Sequence, residues 1–184
     1  MGGVCCNDRD KPPDSKEKPQ VVPPPDPPSG FLTKKPKDST KQVLFIANDP
    51  PMLPLLLSML RSEYQLEDHD KGLYLLSDEW KFDIRTADST DVRKIAADGN
   101  QAKVVFFFFD LRDSRALRAT YDVANTFKAT TRASSQKYLV GYNSAISDSA
   151  SQEAGEAAAD LGFMYLEIPY PRPSGRQLVE RMKK

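Results

Sequence analysis

The sequence predicts an α/β domain of three layers over residues 41–184, with a mostly parallel six-stranded sheet that carries one antiparallel hairpin. Three observations lead there. From Lys41 onward, apolar runs of strand length alternate with segments of helical apolar spacing, the pattern of a sheet with helices packed on it. Lys103-Val104-Val105-Phe106-Phe107-Phe108-Phe109 is almost wholly apolar, as expected of a strand whose sheet is covered on both faces. Trp80-Lys81-Phe82-Asp83-Ile84-Arg85 instead alternates apolar and polar residues. It follows Leu73-Tyr74-Leu75-Leu76 across the polar turn Ser77-Asp78-Glu79, so the pair reads as a hairpin with one buried face.

The first strand, Gln42 to Ala47, feeds a helix on which Leu53, Leu56, Leu57 and Leu60 share a face. Asp49 followed by Pro50 fits an N-cap with proline at the first helical position. Pro54 leaves that start open, because proline in a helix interior forfeits a hydrogen bond. Glu67-Asp68-His69-Asp70-Lys71 is polar throughout and reads as a solvated loop. In the hairpin, Trp80, Phe82 and Ile84 point inward, which makes Trp80 a core residue. A helix follows the phenylalanine strand near Ser114, with Leu117, Tyr121, Ala124 and Phe127 on one side. Tyr138-Leu139-Val140-Gly141 is the next strand. An alanine-rich helix then runs from Ser151 to Leu161 and stops at Gly162. The strand Phe163 to Glu167 and a helix from Gly175 to Met182 complete the domain.

Residues 1–6, Met1-Gly2-Gly3-Val4-Cys5-Cys6, carry a different message. They are too short, and too polar in their continuation, for a signal peptide or a membrane span. Loss of Met1 would expose Gly2 for myristoylation, and Cys5 and Cys6 would be available to palmitate, although Cys6 stands where Ser or Thr is preferred. One acyl chain holds a membrane only marginally, whereas two signals anchor stably. The chain is therefore expected on the cytoplasmic face of a membrane. Residues 7–40 hold Pro12, Pro13, Pro19, Pro23, Pro24, Pro25, Pro27, Pro28 and Pro36 among mixed charges, a composition for a disordered, semi-rigid linker. At ~3.1 Å per residue it would reach roughly 100 Å. Pro23 to Pro28 also has the proline spacing that SH3 or EVH1 grooves read. Lys34, Lys35, Lys37 and Lys41 form a small basic cluster just before the domain.

Composition narrows the chemistry. Acidic and basic residues balance to a formal charge of zero, so the global basic field that nucleic-acid binding draws on is missing. The two cysteines are the adjacent Cys5 and Cys6, which leaves the domain without a disulfide, a thiolate metal ligand or a cysteine nucleophile. His69 is the sole histidine, which argues against a histidine metal site or a Ser-His-Asp triad. Neither a catalytic constellation nor a cofactor is assigned.

The most informative stretch is Ala47-Asn48-Asp49-Pro50-Pro51-Met52-Leu53-Pro54, at the junction of the first strand and helix. A P-loop places Gly-x-x-x-x-Gly-Lys-Ser/Thr there: glycines let backbone N–H groups close on phosphate, lysine neutralises charge, and the hydroxyl holds magnesium. Here the glycines read as Ala47 and Met52, the lysine as Leu53 and the hydroxyl residue as Pro54. Pro50, Pro51 and Pro54 have no N–H to offer.

Over nearly all of 41–184 the domain resembles the Ras/Rab-type small GTPases in the order of its elements and in local patterns. Leu139-Val140-Gly141-Tyr142-Asn143-Ser144-Ala145-Ile146 is similar to the family's Leu-Val-Gly-Asn-Lys-x-Asp-Leu. Ser151-Gln152-Glu153-Ala154 and Ala158-Ala159-Asp160-Leu161-Gly162 resemble the helix after it. Leu166-Glu167-Ile168-Pro169-Tyr170-Pro171 sits where the family has Leu-Glu-Thr-Ser-Ala-Lys, and Thr86-Ala87-Asp88 echoes Asp-Thr-Ala-Gly. The resemblance implies a nucleotide site whose every element has been lost. The guanine-reading aspartate becomes Ala145, the Asn-Lys pair Tyr142-Asn143, and the magnesium-side aspartate Arg85. Two of the Ser-Ala-Lys positions become Pro169 and Pro171, which lack N–H.

The expectation that follows is a membrane-anchored, nucleotide-independent pseudo-GTPase that serves as an adaptor for an effector-like protein partner. Two alternatives stand beside it. A degenerate response-regulator receiver would use Asn48-Asp49 as its acidic strand end and Asp110 as phosphoacceptor, with Ile168-Pro169 in place of Lys-Pro. In the simpler reading, Asp110 caps the next loop. An atypical active GTPase would need a rebuilt phosphate site.

Overall fold

A computed structural model of the protein describes residues 40–49, 51–131, 134–143, 148–169 and 173–184, all within one unit, Lys34–Lys184. Gly2, Cys5, Cys6, the Pro23–Pro28 segment, Pro50, Ala145, Tyr170 and Pro171 lie outside the described residues.

Among the described residues, twelve elements follow in chain order: β1 (Thr40–Ala47), α1 (Met52–Glu63), β2 (Gln65–His69), β3 (Gly72–Ser77), β4 (Trp80–Asp88), α2 (Val92–Gly99), β5 (Val104–Asp110), α3 (Ser114–Thr130), β6 (Gln136–Tyr142), α4 (Asp148–Leu161), β7 (Met164–Ile168) and α5 (Arg176–Lys183). The strands form one seven-stranded sheet in the order β2-β3-β4-β1-β5-β6-β7. β1 pairs in parallel with β4 and β5, and β5-β6-β7 continue in parallel. β3 alone runs against the rest, antiparallel to both β2 and β4.

The six strands expected become seven because Gln65–His69 is an edge strand, not a loop. Only Leu66 in it packs against the core, so side-chain pattern carries no strand signal. Backbone pairing with β3, register Leu66↔Leu75 to His69↔Gly72, holds it. His69 is accordingly half-buried: its ring stacks on Tyr74 at 4.1 Å, and its Nε2 lies 3.0 Å from Asp83 Oδ1. The Lys71 N–H donates to its Nδ1, so a single tautomer, with hydrogen on Nε2, serves both contacts.

Both faces of the sheet are covered. On one, Val43, Phe45, Phe106 and Phe108 pack with Leu56 and Leu60 of α1 and Leu178, Val179 and Met182 of α5. On the other, Leu44, Ile46, Phe107 and Phe109 pack with Ile95 of α2, Phe127 of α3 and Ala154 and Ala158 of α4. The central β5 buries aromatic rings on both sides, as its uninterrupted apolar run predicts. Val104 and Val105 open it, and Phe106 to Phe109 are all at most 1% exposed. In the hairpin, Phe82 and Ile84 are fully buried, whereas Trp80 is only partly so; it opens β4 and packs against the rim of the core.

Details of the helices depart from the simple pattern. α1 begins at Met52 with Pro51 at its cap and no side-chain cap bond; the Asp49 carbonyl, not its carboxylate, accepts the Met52 N–H. Pro54 falls in the first turn, where N–H groups have no intrahelical partner anyway, so it costs the helix no bond. Met52 and Met59 join Leu56 and Leu60 as its buried residues, while Leu53 and Leu57 are only partly buried. In α3 the buried residue beside Leu117 and Ala124 is Thr120, and Tyr121 turns its hydroxyl to Asp160 of α4. Gly162 ends α4 with φ 71°, the left-handed conformation that glycine adopts most readily, while the Phe163 N–H reaches back to Ala158.

Candidate functional site

In open α/β sheets, ligands bind beyond the carboxyl ends of the strands, where the strand order reverses. Here the reversal lies between β1 and β5: on one side the chain goes from β1 to the edge strand β2 and returns through β3 to β4, and on the other it runs outward through β5, β6 and β7. Strand register brings the carboxyl ends together, with Ala47 opposite Asp88 and Phe108, Asp110 opposite Tyr142, and Tyr142 opposite Ile168.

The loop after β1 sits at this point. Met52 and Leu55 donate their N–H groups to the carbonyls of Asp49 and Pro51. Pro51 and Pro54 have none. Ala47 is buried as the last residue of β1, and Met52 is buried against the core. Leu53 packs against the same core from a partly buried position.

A cleft of about 370 Å³ opens beside the loop, lined by Asn48, Asp49, Phe109, Asp110, Asp113, Arg115, Ala116 and Ala119. Among the described residues, its charged lining is three carboxylates, Asp49, Asp110 and Asp113, against one guanidinium, Arg115. A second cleft of about 310 Å³ adjoins it between the ends of β5, α3 and α4, where Arg112, Asp113 and Glu153 are the charged groups.

Asp110 is fully engaged. Its carboxylate accepts the Arg112 backbone N–H at 2.9 Å, the Arg112 guanidinium, and the Asn143 amide at 3.1 Å. Partial burial pushes this carboxyl upward, but the Arg112 and Asn143 donors outweigh burial and hold it below its ordinary value. Asp88, at the end of β4, is held low by the Thr90 hydroxyl and amide, both donating to the same oxygen.

Asn143 is buried to 2% exposure and has φ 68°, a left-handed backbone that asparagine tolerates better than most residues. Its N–H donates to the Ile168 carbonyl, and the Leu111 N–H donates to that of Tyr142. Gly141 permits this closeness, since a Cβ there would lie 2.7 Å from Leu111 Cδ1 and 2.9 Å from the Tyr165 hydroxyl. Beside the switch point, between the ends of β4 and β1, Ser89 Oγ donates to Asn48 Oδ1 at 2.7 Å, and the Ser89 N–H to the Ala47 carbonyl at 3.0 Å.

Of the sequence-assigned positions, Ala47, Met52, Leu53 and Pro54 gather around one loop, and Tyr142-Asn143 stands at the same sheet edge. Arg85 does not. It lies opposite Leu44 within β4, short of the edge, and its guanidinium holds both oxygens of Asp83, at 2.9 and 2.7 Å, and the Lys71 carbonyl. Its charge is spent on that ion pair, so it does not face a magnesium position. Asp88 is the acidic residue that β4 brings to the edge. Ser89 and its bridge to Asn48 escape sequence reasoning, because the pair is 41 residues apart and Ser89 belongs to no motif.

Among the described residues no group of three or more His, Cys, Asp or Glu side chains is placed to hold a metal ion, and no helix is long and apolar enough to cross a membrane. No protein-family model matches the chain, and no curated protein matches it.

Proposed function

We propose that the chain is a nucleotide-independent pseudo-GTPase, a small-GTPase-like domain that acts as a protein-interaction adaptor from the cytoplasmic face of a membrane. The observation that carries this reading is the loop after β1. Prolines and engaged amides replace the phosphate cradle, and the adjoining cleft carries three carboxylates against one guanidinium. Placing phosphate charge among these carboxylates, with no lysine lining the cleft among the described residues and with the Met52 and Leu55 amides already bonded, is unfavourable by several kcal/mol as an order of magnitude. The sheet order, with one reversed strand next to β4 and parallel strands elsewhere, is compatible with a P-loop-type domain and supports the small-GTPase reading over a receiver, whose sheet lacks such a hairpin. The engagement of Asp110 by Arg112 and Asn143 fits a loop cap better than a phosphoacceptor.

The β2-β3-β4 edge and α2 are the faces expected to meet the protein partner, by analogy with how small GTPases meet effectors. The anchor is the dual acylation of Gly2 with Cys5 and Cys6. Chain purified from cells should release no guanine or adenine nucleotide on denaturation; stoichiometric release would return the protein to the active GTPases.

A further inference from the structure

We propose that the carboxyl edge of this sheet is locked by its own side chains, which hold the loops there in one conformation without a ligand. The inference rests on the nucleotide-independent reading and deepens it: an adaptor that needs no nucleotide needs another way to fix the loops around the switch point.

Two bridges make the lock. The first joins the loops after β1 and β4, through Ser89 Oγ to Asn48 Oδ1 at 2.7 Å. Ser89 is 6% exposed, so this bond is shielded from competing water. The second joins β5 to the end of β6, through Asn143 Nδ2 to Asp110 Oδ2 at 3.1 Å. Asp110 in turn ties down the start of the next loop by accepting the Arg112 N–H and guanidinium. Asn143 reaches this position in a left-handed backbone conformation, and its own N–H extends the chain of bonds to β7 at Ile168.

These contacts are long in sequence and short in space. Asn48 meets Ser89 across 41 residues, and Asp110 meets Asn143 across 33. They therefore oppose separation of the loops, which local turn bonds cannot do. Both bridges flank the reversal of strand order, where a bound ligand would otherwise supply the cross-links.

Amide hydrogen exchange on the full chain tests this. Ser89→Ala removes the first bridge with little change of volume. Asn143→Asp keeps a residue that tolerates the left-handed backbone but sets a carboxylate against Asp110. In each variant the amides of Ser89, Leu111, Arg112 and Asn143 are expected to exchange about tenfold faster or more, while amides at the amino ends of β1 and β5 keep their wild-type rates. Unchanged exchange at the edge in Ser89→Ala overturns the lock. So does an equal acceleration throughout the sheet, which would make the bridges ordinary stabilising contacts. The same experiment on the wild-type chain with millimolar magnesium–GTP separates the two proposals. Protection by nucleotide would refute the nucleotide-independent reading, whatever the variants show.

Discussion

At the scale of single residues, Asp110 links charge to stability. Its folded pKa is depressed, so it contributes stability fully above the ordinary carboxylate range, and that contribution is lost as the pH falls through the lowered folded value. Asp110→Asn keeps the shape but surrenders the charge-assisted bonds from Arg112. It should cost about 1–3 kcal/mol at neutral pH and flatten the fall in stability on acidification, as read by urea denaturation across pH. Asp88 contributes in the same direction, since it too is held low, so the acid slope will diminish and not vanish. Some residue roles were open to sequence reasoning, and others were not. Gly162 announced the end of α4 because an alanine-rich helix followed by glycine has a local physical meaning. The pairing of Asn143 with Asp110 had no local signature: it depends on strand register, and on a backbone angle that nothing in the neighbouring residues requires.

At the scale of elements, strands with apolar pattern were legible and those held by backbone alone were not. β5 declared itself through its phenylalanines, and β4 through the alternation of Trp80, Phe82 and Ile84, with Trp80 packing beside Phe82 at 6.0 Å. β2 offers one apolar residue to the core, and α2 buries only Ile95 and Gly99, so neither produces enough periodicity to mark an element. The outer meander is held in part by polar contacts: His69 and Arg85 both grip Asp83, Arg85 also reaches the Lys71 carbonyl in the β2-β3 turn, and Lys81 lies 3.8 Å over the Tyr74 ring. With the Arg85 and Asp83 side chains 14% and 13% exposed, this pair is well shielded from solvent. Arg85→Met leaves Asp83 with the His69 bond and frees the turn. We expect a loss of about 1–3 kcal/mol, with faster hydrogen exchange confined to β2 and β3, measured by denaturation and exchange on the same variant.

At the scale of the whole molecule, two proposals meet: a domain that does not use nucleotide, and a chain held at a membrane by N-terminal lipids. Gly2→Ala removes the myristoyl acceptor and should move the protein from the membrane to the soluble fraction of fractionated cells. Continued membrane association of that variant would sink the anchoring claim while leaving the domain's fold untouched. The proposal of nucleotide independence rests on the switch point, where Pro51 and Pro54 offer no N–H and the Met52 and Leu55 amides are bonded to neighbouring carbonyls. The most direct measurement is calorimetric titration of the purified chain with GTP, GDP and ATP in the presence of magnesium. A nucleotide-independent domain gives no binding heat at millimolar nucleotide; saturable binding of any one of them at micromolar concentration would return the chain to the nucleotide-binding proteins.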